Sequence, residues 1–347
     1  MDERRKLLEE SVKSLRIIIK KKNPVEEAYE IAQLKAQLAD GLYELSEMAD
    51  KKDKRKLLEE VKVIHEDNLE FYKGKFPGGF IFSLFKLGLV ICSIAQLLEG
   101  VERKAEFEKS KGIFTDISKL LNKKDFPDDY ANCQGNLSLI NMELAKLSEG
   151  GQVKLHLQEG IDCLNEVLKI FTRKKYPALH AQTWNNLGNA YRNIAGVSEG
   201  KEKRDYLDKA VKAYETALQV YTRKEFPSGY ATTQNNLGVA CRNIAEVSEG
   251  KEKREYLDKS VKAYEAALKV YTRKEFPADY AMTQNNLGNA YCKIAEVSEG
   301  DKKRGYLDKA VEAYQVALQV YTRKEFPSDY AMTQNNLGNA YCDIAGV

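Results

Sequence analysis

Residues 221–250 read YTRKEFPSGYATTQNNLGVACRNIAEVSEG, and residues 271–300 read YTRKEFPADYAMTQNNLGNAYCKIAEVSEG. The second stretch is nearly a copy of the first, 50 residues on. Six of the seven prolines keep that step, at Pro77, Pro127, Pro177, Pro227, Pro277 and Pro327. Gly100, Gly150, Gly200, Gly250 and Gly300 keep it as well. A fixed period of this length marks a repeat architecture, in which each unit is one supersecondary element that buries its apolar faces against its neighbours.

Each unit contains two helical stretches. In Ser228 to Val247, Tyr230, Leu237, Cys241, Ile244 and Ala245 fall on one helical face. The stretch closes at Ser-Glu-Gly, where Gly250 can take a left-handed C′ conformation without a Cβ clash. From about Glu252 to Lys274, the residues Leu257, Val261, Tyr264, Leu268 and Tyr271 recur at spacings of three and four. The cations of Arg273 and Lys274 suit the negative end of that helix dipole, and Pro277 stops it. The two stretches are termed helix A and helix B. No strand-like alternation interrupts them.

Composition sets the remaining bounds. The 347 residues are 31% charged and 43% hydrophobic, which suits a folded soluble chain. Fifty-five Lys and Arg against fifty-two Asp and Glu give a net charge of +3, so charge offers no case for nucleic acid or an anionic membrane. The opening MDERRKLLEE lacks the apolar core of a secretion signal. Six dispersed cysteines form no C-x-x-C pair and no cluster with histidine, which predicts reduced thiols and a cytoplasmic location. Gly79 to Leu98 is long and apolar enough to span a bilayer, with Lys86 its single charge. Its phase matches the soluble helices of the other repeats, so it is expected to be a buried helix A.

The string Trp184-Asn-Asn-Leu187-Gly188-Asn-Ala-Tyr191, with Ala210, Tyr214, Ala217 and the terminal Pro227, resembles a tetratricopeptide repeat. The long unit and the phrase Pro-x-x-Tyr-Ala-x-x-Gln-Asn-Asn-Leu-Gly are similar to kinesin-light-chain-type repeats and to prokaryotic arrays attached to signalling proteins. Gly188 and Ala210 are small because helices A and B cross closely there. The likeness implies an all-α, right-handed solenoid of about seven helix pairs in the order B, A. It extends through 1–347 as a single array, with divergent repeats over 1–176 and near-identical ones over 177–347 that end in a lone helix A.

In this family ligands lie along a concave surface lined by helix A. The matching residues are Asn185, Asn235, Asn285 and Asn335; then Asn189, Val239, Asn289 and Asn339; then Arg192 and Arg242 beside Asn193 and Asn243. An Asn amide has both donors and acceptors, so a ladder of them could hold the backbone of an extended peptide. The following asparagines, Asn186, Asn236, Asn286 and Asn336, are expected to bridge helices instead. In the first half of the chain the equivalent positions are apolar, with Phe85, Leu89, Leu139 and Met142 as candidates either to receive a partner's hydrophobic side chains or to be covered by the array itself or by a second copy of the chain.

No constellation points to catalysis, a cofactor or a metal. His65, His156 and His180 fall in different repeats and phases, and Gly-Lys201 and Gly-Lys251 lack the spacing of a phosphate loop. The expected function is therefore a scaffold that binds a protein or peptide segment in the helix-A groove. A sensor array of a larger signalling effector and a self-assembling rod are the alternatives. The chain opens with a helix B and ends in a helix A, and these complementary halves predict end-to-end self-association.

Overall fold

The computed structural model describes residues 2–346. Among them are fourteen α-helices and no strand: α1 (Asp2–Lys21), α2 (Ala28–Ser46), α3 (Lys51–Tyr72), α4 (Pro77–Leu97), α5 (Gly100–Leu120), α6 (Pro127–Lys146), α7 (Gly151–Leu168), α8 (Pro177–Gly196), α9 (Gly200–Leu218), α10 (Pro227–Glu246), α11 (Gly250–Leu268), α12 (Pro277–Glu296), α13 (Gly300–Leu318) and α14 (Pro327–Ala345). Odd-numbered helices are B and even-numbered ones A, seven of each, in an all-α helical-repeat solenoid. The chain divides into two compact units, Met1–Ile170 and Phe171–Val347. Each is described on its own.

In unit 2 the repeat is held by one recurring contact. Each helix A packs most closely on the helix B that follows it. Where they cross, the rings of Tyr214, Tyr264 and Tyr314 press against Gly188, Gly238 and Gly288. A Cβ at Gly288 would stand 2.5 Å from the Tyr314 ring, so only glycine lets the ring settle. All three rings are fully buried. Burial of a large apolar side chain contributes roughly 1.5–3 kcal/mol, so the interlock is a main source of unit stability.

The turns explain the conserved punctuation of each repeat. Helix A starts at proline, whose missing N–H is not needed at N1. Before it, the Phe276 N–H donates to the Thr272 carbonyl at 2.9 Å and the Glu275 N–H to Thr272 Oγ1 at 3.2 Å. The Phe276 ring rests 5.5 Å from Tyr271. This turn shortens helix B against expectation: α11 ends at Leu268, and Tyr271 to Lys274 lie beyond it. Arg273 does serve a helix C-terminus, but that of the next helix B. Its guanidinium donates to the Gln319 carbonyl at 3.1 Å and to Gln319 Oε1 at 2.9 Å, while Arg173 and Arg223 reach Gln219 and Lys269 in the same way. The glycine that follows helix A has positive φ, as predicted, but it does not cap helix A. Gly250 (φ +54°) opens α11 after an extended Glu249, and Gly150 has φ +58° with ψ −139°, a backbone region that side-chain-bearing residues rarely enter.

Unit 1 follows the same plan with other side chains. Phe114 takes the tyrosine's place: a Cβ at Gly88 would stand 2.8 Å from its ring, and Phe85 meets it edge-on at 5.2 Å. Its backbone carbonyl accepts from Cys133 Sγ at 3.0 Å. α4 is long and apolar enough to cross a membrane by length and composition. Here Val90 and Ile94 join the apolar cluster of α2 and α3, and Leu87 and Gly88 are buried beside α5.

Candidate partner-binding face

The helix-A ladder in unit 2 separates into closed and open rungs. Asn185, Asn235 and Asn285 are buried. Asn185 Oδ1 accepts from Thr233 Oγ1 and from Asn236 Nδ2, both at 3.2 Å. Asn286 donates to Asn235 at 3.3 Å, and Asn336 to Asn285 at 3.2 Å. Asn236, Asn286 and Asn336 thus bridge helices as expected. The preceding asparagines do so too, which corrects the expectation that Asn185, Asn235 and Asn285 meet a ligand: the next helix A covers them. Asn335, with no helix A after it among the described residues, is exposed.

One turn on, the amides are oriented by tyrosine. Tyr214 OH donates to Asn189 Oδ1 at 2.8 Å, and Tyr314 OH to Asn289 Oδ1 at 2.7 Å. Burial raises the pKa of both phenols, which keeps them protonated as donors. The oxygen of each amide thus already accepts a hydrogen bond, and both residues are half-exposed. In the middle repeat Val239 replaces the asparagine, and among the described residues the buried Tyr264 OH has no partner at good hydrogen-bond geometry, Ser260 being the polar side chain near it. Arg192 and Arg242 share a phase on α8 and α10, are half-exposed, and form no ion pair among the described residues. Arg242 Nε is buried without an acceptor among the described residues. Asn193 and Asn243 are half-exposed beside them, and Asn339 is exposed. A groove of about 330 Å³ is lined by Arg242, Lys293, Asn289 and Asn339 together with the carboxylates of Glu246, Glu296 and Asp343.

The apolar candidates of unit 1 also divide. Phe85 is committed to Phe114, and Met142 lies against Gly160 of α7, where a Cβ would stand 2.4 Å from the Met142 methyl. Leu89 is half-buried, and Leu139 is 56% exposed. Phe85 and Met142 therefore follow the packing alternative, and Leu139 is left as the open apolar candidate. Sequence reasoning missed Tyr29, Gln33, Gln37 and Phe82, which are exposed around a cavity between α2 and α4. They fall where the sequence departs most from the repeat, and no phase signal marks them.

His65 is buried in α3, and burial lowers its pKa to about 4. His180 accepts from Trp184 Nε1 at 3.0 Å, which leaves its Nδ1–H to donate to the Phe171 carbonyl at 2.8 Å. Burial pushes the Cys133 and Cys241 thiols up to about 12 and Cys163 to about 11, away from the thiolate form that nucleophilic chemistry requires. Among the described residues no group of three His, Cys, Asp or Glu could hold a metal ion.

This geometry can be set beside known proteins. No family model matches the chain. No curated protein sequence matches it. Solved structures do. The nuclear import adaptor Nro1 of S. pombe superposes with a TM-score of 0.51 at 12% identity, over 88% of this chain and 96% of that one. The chain has a tetratricopeptide-like helical-repeat fold. A circular tandem repeat protein aligns over 98% of this chain and 84% of its own, with a TM-score of 0.39 and 15% identity. A signal-transduction ATPase with a tetratricopeptide repeat sensor, from Pyrococcus horikoshii, aligns over 98% of this chain with a TM-score of 0.43 and 13% identity. The repeat array here spans 52% of that chain.

Proposed function

We propose that the chain is a protein-interaction scaffold, without catalytic activity of its own, that holds an extended partner segment along the helix-A face of unit 2. One observation carries this reading. The tyrosine hydroxyls donate to the oxygens of Asn189 and Asn289, and among the described residues Arg192 and Arg242 form no ion pair although Glu246, Glu296 and Asp343 line the groove beside Arg242, so the amide NH2 and guanidinium groups are left to donate. A ligand that matches such a row supplies oxygen acceptors: the carbonyls of an extended backbone, with carboxylate side chains opposite the arginines. The adaptor description of Nro1 agrees in kind with this role. Six free cysteines suit a reducing compartment such as the cytoplasm.

Selection of a random peptide library on the purified chain tests the proposal. Enriched peptides should be rich in Asp and Glu, and Arg192→Gln with Arg242→Gln should abolish the enrichment. Selection that yields no consensus, or the same consensus on the variant, would refute it.

A further inference from the structure

A second surface lies in unit 1 and shares no residue with the donor row. Between α2 and α4 is a cavity of about 420 Å³. Its walls include the exposed rings of Tyr29, Phe76 and Phe82. Tyr29 and Phe76 are 4.8 Å apart, and Tyr29 meets the buried Tyr72 at 6.4 Å. Gln33 and Gln37 complete the α2 wall, are exposed, and make no hydrogen bond among the described residues. The α4 side is bare because the helix opens Pro77-Gly78-Gly79, where α6 has Pro127-Asp128-Asp129. A Cβ at Gly78 would meet nothing within 4 Å, whereas one at Gly79 would stand 2.9 Å from the Tyr72 ring. Two glycines therefore keep the groove open and let the aromatic cluster close beneath it.

The lining limits what can bind. Flat rings stack on flat apolar groups, and cations are the usual alternative ligand for such a cluster. Cations are disfavoured here. Lys86 Nζ already lies 5.4 Å from the Phe82 ring and Lys75 Nζ 5.5 Å from Phe71, and no carboxylate lines the cavity. Lys73 and Lys75 are exposed on the adjoining turn and form no ion pair among the described residues. The surroundings thus favour a ligand that is apolar where it meets the rings and negative at one end. The amides add a spacing. Gln33 and Gln37 stand one helical turn apart, roughly 6 Å along the axis. Carbonyls two residues apart in a polyproline II segment are separated by roughly 6.2 Å. A proline segment offers pyrrolidine rings to stack and, having no N–H, presents only carbonyl acceptors, which suit the side-chain amide donors of Gln33 and Gln37.

We propose that this groove binds a proline-rich partner segment in the polyproline II conformation, with acidic residues at the end that reaches Lys73 and Lys75. The test is fluorescence anisotropy on the full chain with a labelled peptide of two aspartates followed by a run of prolines. The control carries alanines in place of the prolines. The proline peptide should bind saturably and at least tenfold tighter than the control. Gln33→Ala with Gln37→Ala removes two donors from exposed positions and should weaken binding about tenfold at unchanged melting temperature. Tyr29→Ala should weaken it further. No saturable binding, equal binding of the alanine control, or undiminished affinity in the double-glutamine variant would each overturn the proposal. Arg192→Gln with Arg242→Gln should leave this peptide's binding unchanged, so the two surfaces succeed or fail separately.

Discussion

Helices α12 and α14 share the run Ala-Met-Thr-Gln-Asn-Asn-Leu-Gly-Asn-Ala-Tyr-Cys, at 281–292 and at 331–342. In α12, Asn285 is buried, Gly288 lies under the Tyr314 ring, and Ile294 and Ala295 are almost completely covered. In α14, Asn335, Gly338 and Ala345 are exposed, and a Cβ at Gly338 would meet nothing within 4 Å. α12 is followed by a helix B and a further helix A, whereas α14 has neither among the described residues. A helix-A sequence therefore does not determine which of its residues are structural. Its packing neighbours do, and the same asparagine is a buried bridge in α12 and an exposed side chain in α14 among the described residues.

The largest expected effect tests that directly. Gly288→Leu would drive a side chain into Tyr314 and break its bond to Asn289, at a cost of about 3 kcal/mol or more in urea denaturation. Gly338→Leu should be neutral or stabilise α14 by up to about 0.8 kcal/mol, since leucine is the better helix former. Equal destabilisation by both would break the comparison. Next, Asn285→Ala removes the acceptor of Asn336 and should cost about 1–3 kcal/mol, whereas Asn335→Ala should stay within about 0.5 kcal/mol of wild type. A costly Asn335→Ala would mean that α14 has structural partners as α12 does.

These contrasts mark the limits of sequence reading. The period, the helix order and the close crossing at Gly188 were legible because proline, glycine and the three-and-four spacing act locally, but the sequence set Ala210 against that glycine, whereas it is the Tyr214 ring that covers it. The end of helix B was not, because Tyr271 continues the apolar spacing into the turn that Thr272 and Phe276 make. The role of Asn185, Asn235 and Asn285 was not legible either. Their partners lie 48 to 51 residues away, and an amide facing a ligand has the same sequence signature as an amide facing the next repeat. The orientation of Asn189 and Asn289 depends on a tyrosine 25 residues on.

Burial lowers the His65 pKa from 6.5 to about 4, so an unfolded chain binds a proton there that the folded chain refuses. Stability should therefore be full above about pH 6.5 and fall on acidification toward pH 4, by roughly 3 kcal/mol at the limit. His65→Phe should flatten that part of the pH profile, and an unchanged slope would show that other groups set it. The smallest effect concerns the middle repeat. Val239→Asn offers Tyr264 OH the acceptor that Asn189 and Asn289 give its counterparts, and should raise stability by about 1 kcal/mol. No gain would mean that the hydroxyl is already satisfied.

The most direct test of the account is calorimetric titration of one library-selected acidic peptide into three chains: wild type, Arg192→Gln with Arg242→Gln, and Asn285→Ala, each with its melting temperature measured alongside. The account predicts that the arginine variant melts as wild type does but binds at least tenfold more weakly, while Asn285→Ala melts earlier and, below its transition, binds with wild-type affinity. Undiminished binding by the arginine variant, or affinity lost through Asn285→Ala with no change in melting, would contradict it.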